Sequence, residues 1–271
     1  DEGSFTGKGL LHVATLQAVL GGRLPPEQVL SHDLLEGALV RCAVVSDVTL
    51  IEADPTHADA AASRLHRWTR GDWQLLPFVL DARRWPLGAI NRWKLWDNLR
   101  RSLVAPACLA LLVLALAGHG LLLGAALALT LVAYAGGPLI GALAGALPAH
   151  RGLVNARFVQ ASALDVLRAV AGGLWHLALL PQHALQALDA VLRTLHRLRV
   201  SRQQLLAWTT ADAAQAALSP HLSATLWRHR AGPGLALLLA GGLWASGTAA
   251  GAPALALLAL WAAAPLLVWL T

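Results

Sequence analysis

Charge is scarce in this sequence: Asp, Glu, Lys and Arg make up 13% of its 271 residues, against roughly 25% in soluble domains. That scarcity, with 56% hydrophobic residues and a mean hydropathy of +0.56, excludes an ordinary soluble protein and points to a membrane one. Lysine is almost missing. Lys8 and Lys94 are the only two, so the net charge of +6 rests on arginine. Cysteine is limited to Cys42 and Cys108, at no metal-binding spacing. A disulfide framework is excluded, in agreement with a reducing compartment. Methionine is absent and the chain opens at Asp1 with no signal-peptide pattern. The expectation is that the natural start lies upstream.

Acidic residues are missing from the rear of the chain. Of 15, 12 fall between Asp1 and Asp97, and only Asp165, Asp189 and Asp212 follow. A polar, titratable front is therefore joined to an apolar rear. The arginines flank apolar segments, which fits retention of cytoplasmic loops better than nucleic-acid binding.

The front reads as half of an α/β domain. A short helix over 14–20 stops at Gly21–Gly22, a second is capped by Ser31, and residues 44–53 (VVSDVTLIEA) have strand composition. A third helix follows over about 57–71. Residues 84–101 combine Trp85, Trp93 and Trp96 with Arg92, Lys94, Arg100 and Arg101, the mixture suited to a helix at headgroup level. A soluble amphipathic helix would look similar. Two apolar stretches, 103–118 and 121–147, are parted by His119–Gly120 and predict a hairpin of spans. Pro138 is expected to kink the second. Residues 155–200 read as a re-entrant or interfacial helix pair, and 235–244 with 252–270 as a last hairpin. The expected domains are 1–83, 84–101, 102–148, 149–232 and 233–271: partial catalytic domain, interfacial helix, hairpin, mixed helices, hairpin.

Three clusters could carry chemistry. Gly3-Ser4-Phe5-Thr6-Gly7-Lys8-Gly9 is not a Walker loop, because Lys8 precedes Gly9 rather than Ser or Thr. It is either a turn or a loop of small residues that a sugar or phosphate can approach. Asp33 and Glu36, after Ser31-His32, stand in the first turn of a helix, where acids act as caps. Glycosyl transfer to a hydroxyl also requires a carboxylate that takes its proton, and Asp33 is the candidate. Arg64, Arg67, Trp68, Arg70, Asp72, Trp73 and Gln74 form the third cluster. There arginine offers paired donors to a diphosphate and tryptophan a flat face to a sugar ring. The alternative is one more interfacial Trp/Arg helix.

In order and spacing, GSFTGKG, LLSHDLLEG, HRWTRGDWQLLP and RWKLWDNLRRSL.AP resemble the cyclic β-1,2-glucan synthases, with a weaker continuation through LLAWTTADAAQA at 205–216. The resemblance implies a membrane glycosyltransferase: an α-helical membrane protein with a partial α/β, GT-A-like cytosolic domain, about four transmembrane helices and interfacial helices. It implies an inverting UDP-glucose-dependent glucosyltransferase of the bacterial inner membrane, elongating a β-glucan acceptor. In the wider family of processive synthases a Thr-Glu-Asp motif supplies the base and a Gln-x-x-Arg-Trp motif lines donor and acceptor. By that resemblance Asp33 is the base, with His32 and Glu36 beside it. Arg64, Arg67 and Trp68 form the second motif, Arg64 replacing the usual Gln, and Gly3-Ser4 is the acceptor-side loop. Arg70, Asp72, Trp73 and Gln74 complete the substrate-binding set.

The departures are as definite. Such enzymes hold the donor's Mg or Mn ion through an Asp-x-Asp motif, and none occurs here. The cation's ligands, the upstream nucleotide-binding half and a downstream phosphorylase-like domain are expected outside this segment. A non-catalytic membrane scaffold or subunit, or a transporter-like protein, is the alternative.

Overall fold

The computed structural model describes residues 3–7, 9–25, 27–30, 33–43, 45, 47–49, 51, 55–148, 155–219 and 221–271, with the side chains of 211 and 212 set aside. Ser31 and His32 lie outside the described residues. The chain forms two compact units, Asp1–Leu103 with Gln186–Leu218, and Val104–Leu185 with Ser219–Thr271.

The first unit begins with α1 (Val13–Leu20), whose N-cap His12 accepts a hydrogen bond from the Thr15 amide at 3.2 Å. Gly22, at φ +72°, takes the chain out of α1 in a conformation open to glycine without strain. Helix α2 (Asp33–Val40) carries Asp33 and Glu36 in its first turn and buries Leu35 completely. Helix α3 (Ala58–Gln74) is capped by His57, which accepts from the Asp59 amide at 3.1 Å. After α4 (Leu76–Leu80), helix α5 (Ala89–Ser102) buries Asn91, Leu95 and Leu99, a stripe at four-residue spacing. Leu35, Leu75, Phe78, Val79, Trp85, Leu87 and Leu95 close the core between these helices.

Two expectations change here. Among the described residues there is no strand, so the α/β, GT-A-like architecture is not supported. A strand needs a partner for its ladder hydrogen bonds. Of residues 44–53, only 45, 47–49 and 51 are described; none of these is in a strand, and Val45, Val48 and Ile51 stand exposed. Trp85 is a core residue and not an interfacial ring: it is buried and tilted against Phe78 with centroids 4.6 Å apart. Trp93 and Trp96 do stand exposed. The loop before α5 is also tied to it, since Arg92 donates to the carbonyls of Val79 (2.5 Å) and Trp85 (3.2 Å).

Residues 186–218 complete this unit. They include the end of α9 (Leu180–His196), a π-helical turn over Arg197–Ser201 and α10 (Ala211–Ala216). Arg202 and Gln204 have positive φ (52° and 54°), and Arg197 donates to the Gln204 carbonyl at 2.7 Å, folding the chain back on itself.

The second unit contains α6 (Val104–Leu116), α7 (Leu123–Gly145), α8 (Ala156–Ala178), the start of α9, α11 (Leu222–Arg228), α12 (Ala231–Ala245) and α13 (Ala252–Trp269). Helices α7 and α13 are each long and apolar enough to cross a membrane, and the number rises to four if each of two bent helix pairs counts as one span. Only 17% of the α7 window is buried within the protein. Leu129, Val132, Ile140 and Leu143, which would find no place on a soluble surface, instead face outward, as lipid permits. Helix α7 runs on through Pro138 as one helix, and the turn after α6 places Gly118 and Gly120 at positive φ. Helices α8 and α9 meet at a 69° bend, in keeping with a broken span or re-entrant loop. Trp261 is fully buried and donates to the Leu177 carbonyl at 3.0 Å, fastening α13 to α8. A cleft of about 420 Å³ opens between α7 and α8, where His176 stacks on Tyr134 at 4.7 Å.

Candidate functional site

The Gly-rich loop at 3–7 lies over α2. The Gly3 amide donates to the Cys42 carbonyl at 3.0 Å, and Lys94 on α5 donates to the Gly3 carbonyl at 2.8 Å. Phe5 packs against Gly37, where a Cβ would sit 2.6 Å from the Phe5 Cβ. Gly7, at φ +85°, abuts Asp33: a Cβ there would come within 2.8 Å of Oδ2. Two glycines thus let the loop descend onto the first turns of α2, and one leaves the half-buried Asp33 carboxylate without a side chain over it. Ser4 stands exposed at the rim, and Glu36 is half-buried one turn along the helix. His32 lies outside the described residues.

Helix α3 divides its motif residues between two faces. Arg64 and Trp68, four apart, stack with the guanidinium carbon 4.9 Å from the ring centroid. Arg67 stacks on a ring absent from the expected site, Trp208, at 4.4 Å. Both rings remain open, Trp68 at 44% and Trp208 at 50% exposure. Such exposed cation–π pairs contribute about 0.5–1 kcal/mol each, enough to orient a ring though not to hold a fold.

The other face is turned inward. Arg70 is 6% exposed and donates to the carbonyls of Ala207 (2.7 Å) and Leu205 (3.2 Å). Gln74, at 2% exposure, donates to the Leu205 carbonyl at 3.0 Å and accepts from the Leu30 amide at 2.6 Å. His66 pairs with Asp189 at 2.7 Å. Trp73 donates to Ser102 at 2.9 Å, and Asn98 donates to Asp72 at 3.1 Å. Arg70, Asp72, Trp73 and Gln74, expected as substrate ligands, are therefore engaged by the protein's own backbone and side chains. The physical reason is helical period: positions 66, 70, 73 and 74 share the face that α5 and residues 186–218 cover.

Burial raises Asp72 to about 6, against the opposing hydrogen bond from Asn98 and the charge of Arg101. Burial also lowers Arg70 from its usual value, aided by the positive charges of Arg197 and Arg193. Among the described residues no group of three or more His, Cys, Asp or Glu side chains could hold a metal ion.

Sequence reasoning missed Trp208, Gly7 and Lys94. Gly7 and Lys94 have no signal beyond the motifs around them. Trp208 stands inside LLAWTTADAAQA, so the resemblance contained it without assigning it a role.

A helical membrane protein with a polar helical unit that displays Arg–Trp stacks is the class that these features define. No family model matches the chain. Over 272 aligned residues, 99% of the chain, it is 35% identical to the cyclic beta-(1,2)-glucan synthase NdvB of Rhizobium meliloti (strain 1021). The resemblance read from the motifs is borne out, and this chain is a relative of one segment of such a synthase. It spans about a tenth of that curated relative's length, 10%.

Proposed function

We propose that this chain is the acceptor-side segment of an inverting, UDP-glucose-dependent β-1,2-glucosyltransferase at the bacterial inner membrane, with its polar unit on the cytosolic face. The observation that carries the reading is the loop glycine against Asp33, found in a chain related along its whole length to a glucan synthase. Asp33 takes the proton from the acceptor's 2-hydroxyl. The freed oxygen attacks the anomeric carbon of the donor glucose in line, the bond from that carbon to the diphosphate oxygen breaks, and UDP leaves with the electron pair. Arg67 and Arg64 stabilise the developing diphosphate charge, and Trp68 stacks on the acceptor's terminal ring. The stack of Arg67 on Trp208 engages a guanidinium face, and the N–H edge of that group is the part that would donate to the diphosphate. A divalent cation, Mg or Mn, belongs to the donor side, with ligands outside this segment, as do a nucleotide-binding half and a phosphorylase-like domain.

The test is Asp33→Asn in the complete synthase that contains this segment, assayed with labelled UDP-glucose in membranes. Transfer is expected to vanish while UDP-glucose binding persists. Turnover near that of the unaltered chain would show that Asp33 is not the base.

A further inference from the structure

We infer that Trp208 is a second sugar-binding ring of the acceptor face, and that Arg70 and Gln74 are the positioning residues that hold it there. The inference rests on the transferase reading above and extends it to a residue that lies 140 positions beyond the expected Trp68 (208 − 68).

Three observations converge. Two buried α3 side chains make three hydrogen bonds to the carbonyls of residues 205 and 207, so the backbone on the N-terminal side of Trp208 is pinned along α3. On the C-terminal side, Gln215 donates to Thr56 at 2.9 Å, just before α3 begins. The strap is thus held at both ends, yet the large ring between them is left half open to solvent. A pinned segment with an unburied tryptophan gains little stability from that ring. The ring is placed for something outside this unit.

Its neighbours indicate what that is. Arg67 covers one side of Trp208 and Arg64 one side of Trp68. Arg64, Arg67 and Trp68 lie within five residues, so both rings are organised by successive turns of one helix. Each ring has a guanidinium over it and is about half exposed. Two flat, oriented apolar faces backed by cations suit a chain of pyranose rings, which present C–H faces to the indoles and hydroxyls to the guanidiniums. A single glucose fills one such face; an oligosaccharide fills both. The ligand class is therefore an extended β-glucan acceptor, with Trp208 contributing only when the acceptor is long enough.

The experiment uses the complete synthase that contains this segment, in membranes, with labelled UDP-glucose and short and long β-1,2-gluco-oligosaccharides as acceptors. Trp208→Ala is expected to raise the KM for the long acceptor about tenfold, equivalent to about 1.4 kcal/mol, with the donor KM and the short-acceptor KM unmoved. Trp208→Phe, which retains a ring, should stay near the unaltered protein, and this variant separates ring chemistry from misfolding. Gln74→Ala should shift the long-acceptor KM in the same direction as Trp208→Ala. An unchanged long-acceptor KM in Trp208→Ala, or an equal loss on donor and on both acceptors in Trp208→Ala and Trp208→Phe alike, overturns the inference and leaves the transferase reading intact. Failure of the complete synthase that contains this segment to transfer glucose at all overturns that reading, and this inference with it.

Discussion

Gly7 and Asp33 touch: the glycine, at φ +85°, leaves room for the carboxylate where any side chain would come within 2.8 Å of Oδ2. Conformation and close approach both demand glycine at this position, and both act on the residue proposed as the base. Gly7→Ala should therefore lower turnover more than substrate affinity, because it displaces the carboxylate and adds roughly 1 kcal/mol of left-handed strain. Steady-state kinetics on membranes would read this as a drop in kcat with little change in the donor KM. A rise in KM with kcat preserved would place Gly7 in binding alone.

Arg70 holds residues 205–207 through two carbonyls from a buried position. Hydrogen bonds from a charged donor contribute about 1.5–3 kcal/mol, and the carbonyls left behind lose their partner. Arg70→Ala should loosen the strap and make residues 202–210 cleavable by protease. Arg70→Lys should rescue poorly, because one ammonium cannot reproduce the guanidinium fork. Limited proteolysis of the three proteins side by side is the check.

Asp72 titrates at about 6 in the fold, above the ordinary value of 3.8, because burial disfavours its ionised form. The folded state therefore holds the proton more tightly than the unfolded one. The associated stability is fully present below about pH 4 and is lost as pH rises through about 6, at no more than about 1.4 kcal/mol per pH unit. Asp72→Asn keeps an oxygen for Asn98 and removes the proton, so it should melt higher than the unaltered chain near neutrality and lose this part of the pH slope. Thermal unfolding in detergent across that window decides it; a parallel slope in the two proteins would count against a buried, raised Asp72.

Gly232 faces the Trp261 backbone, and a Cβ there would lie 2.6 Å from the Trp261 carbonyl oxygen. A backbone atom cannot swing aside as a side chain does, so Gly232→Ala must part α12 from α13. Gly234, two residues on, has nothing within 4 Å of such an atom. Gly232→Ala is expected to destabilise by about 1–3 kcal/mol, as overpacking does, while Gly234→Ala is neutral or slightly favourable through helix propensity. Melting temperatures of the two variants provide the comparison.

Much of the helical layout was legible because its signals are local. The glycine pair at 21–22 follows α1, His119–Gly120 falls between α6 and α7, and the length of the apolar runs marks α7 and α13 as candidate spans. Trp85 was misread for an equally local reason. Tryptophan among arginines looks the same at a membrane surface and in a small core, and only Phe78 packing on its ring tells the two apart. The strand expected at 44–53 rested on β composition, which is a preference for a pleated neighbour, and among the described residues no strand occurs.

The linear order of residues was enough to determine a helical membrane protein and its kinship with the cyclic β-1,2-glucan synthases, since helix starts, stops and span lengths depend on neighbours along the chain. The division of labour within the Arg–Trp motif was decided only by the tertiary structure. Arg64 stacks on Trp68 within the helix, whereas Arg67, Arg70 and Gln74 all meet the strap, Arg67 at the Trp208 ring and the other two at its backbone. The carbonyls that capture the latter pair lie 131 to 137 residues further on. A helix's period says which residues share a face, and only the fold says what that face meets.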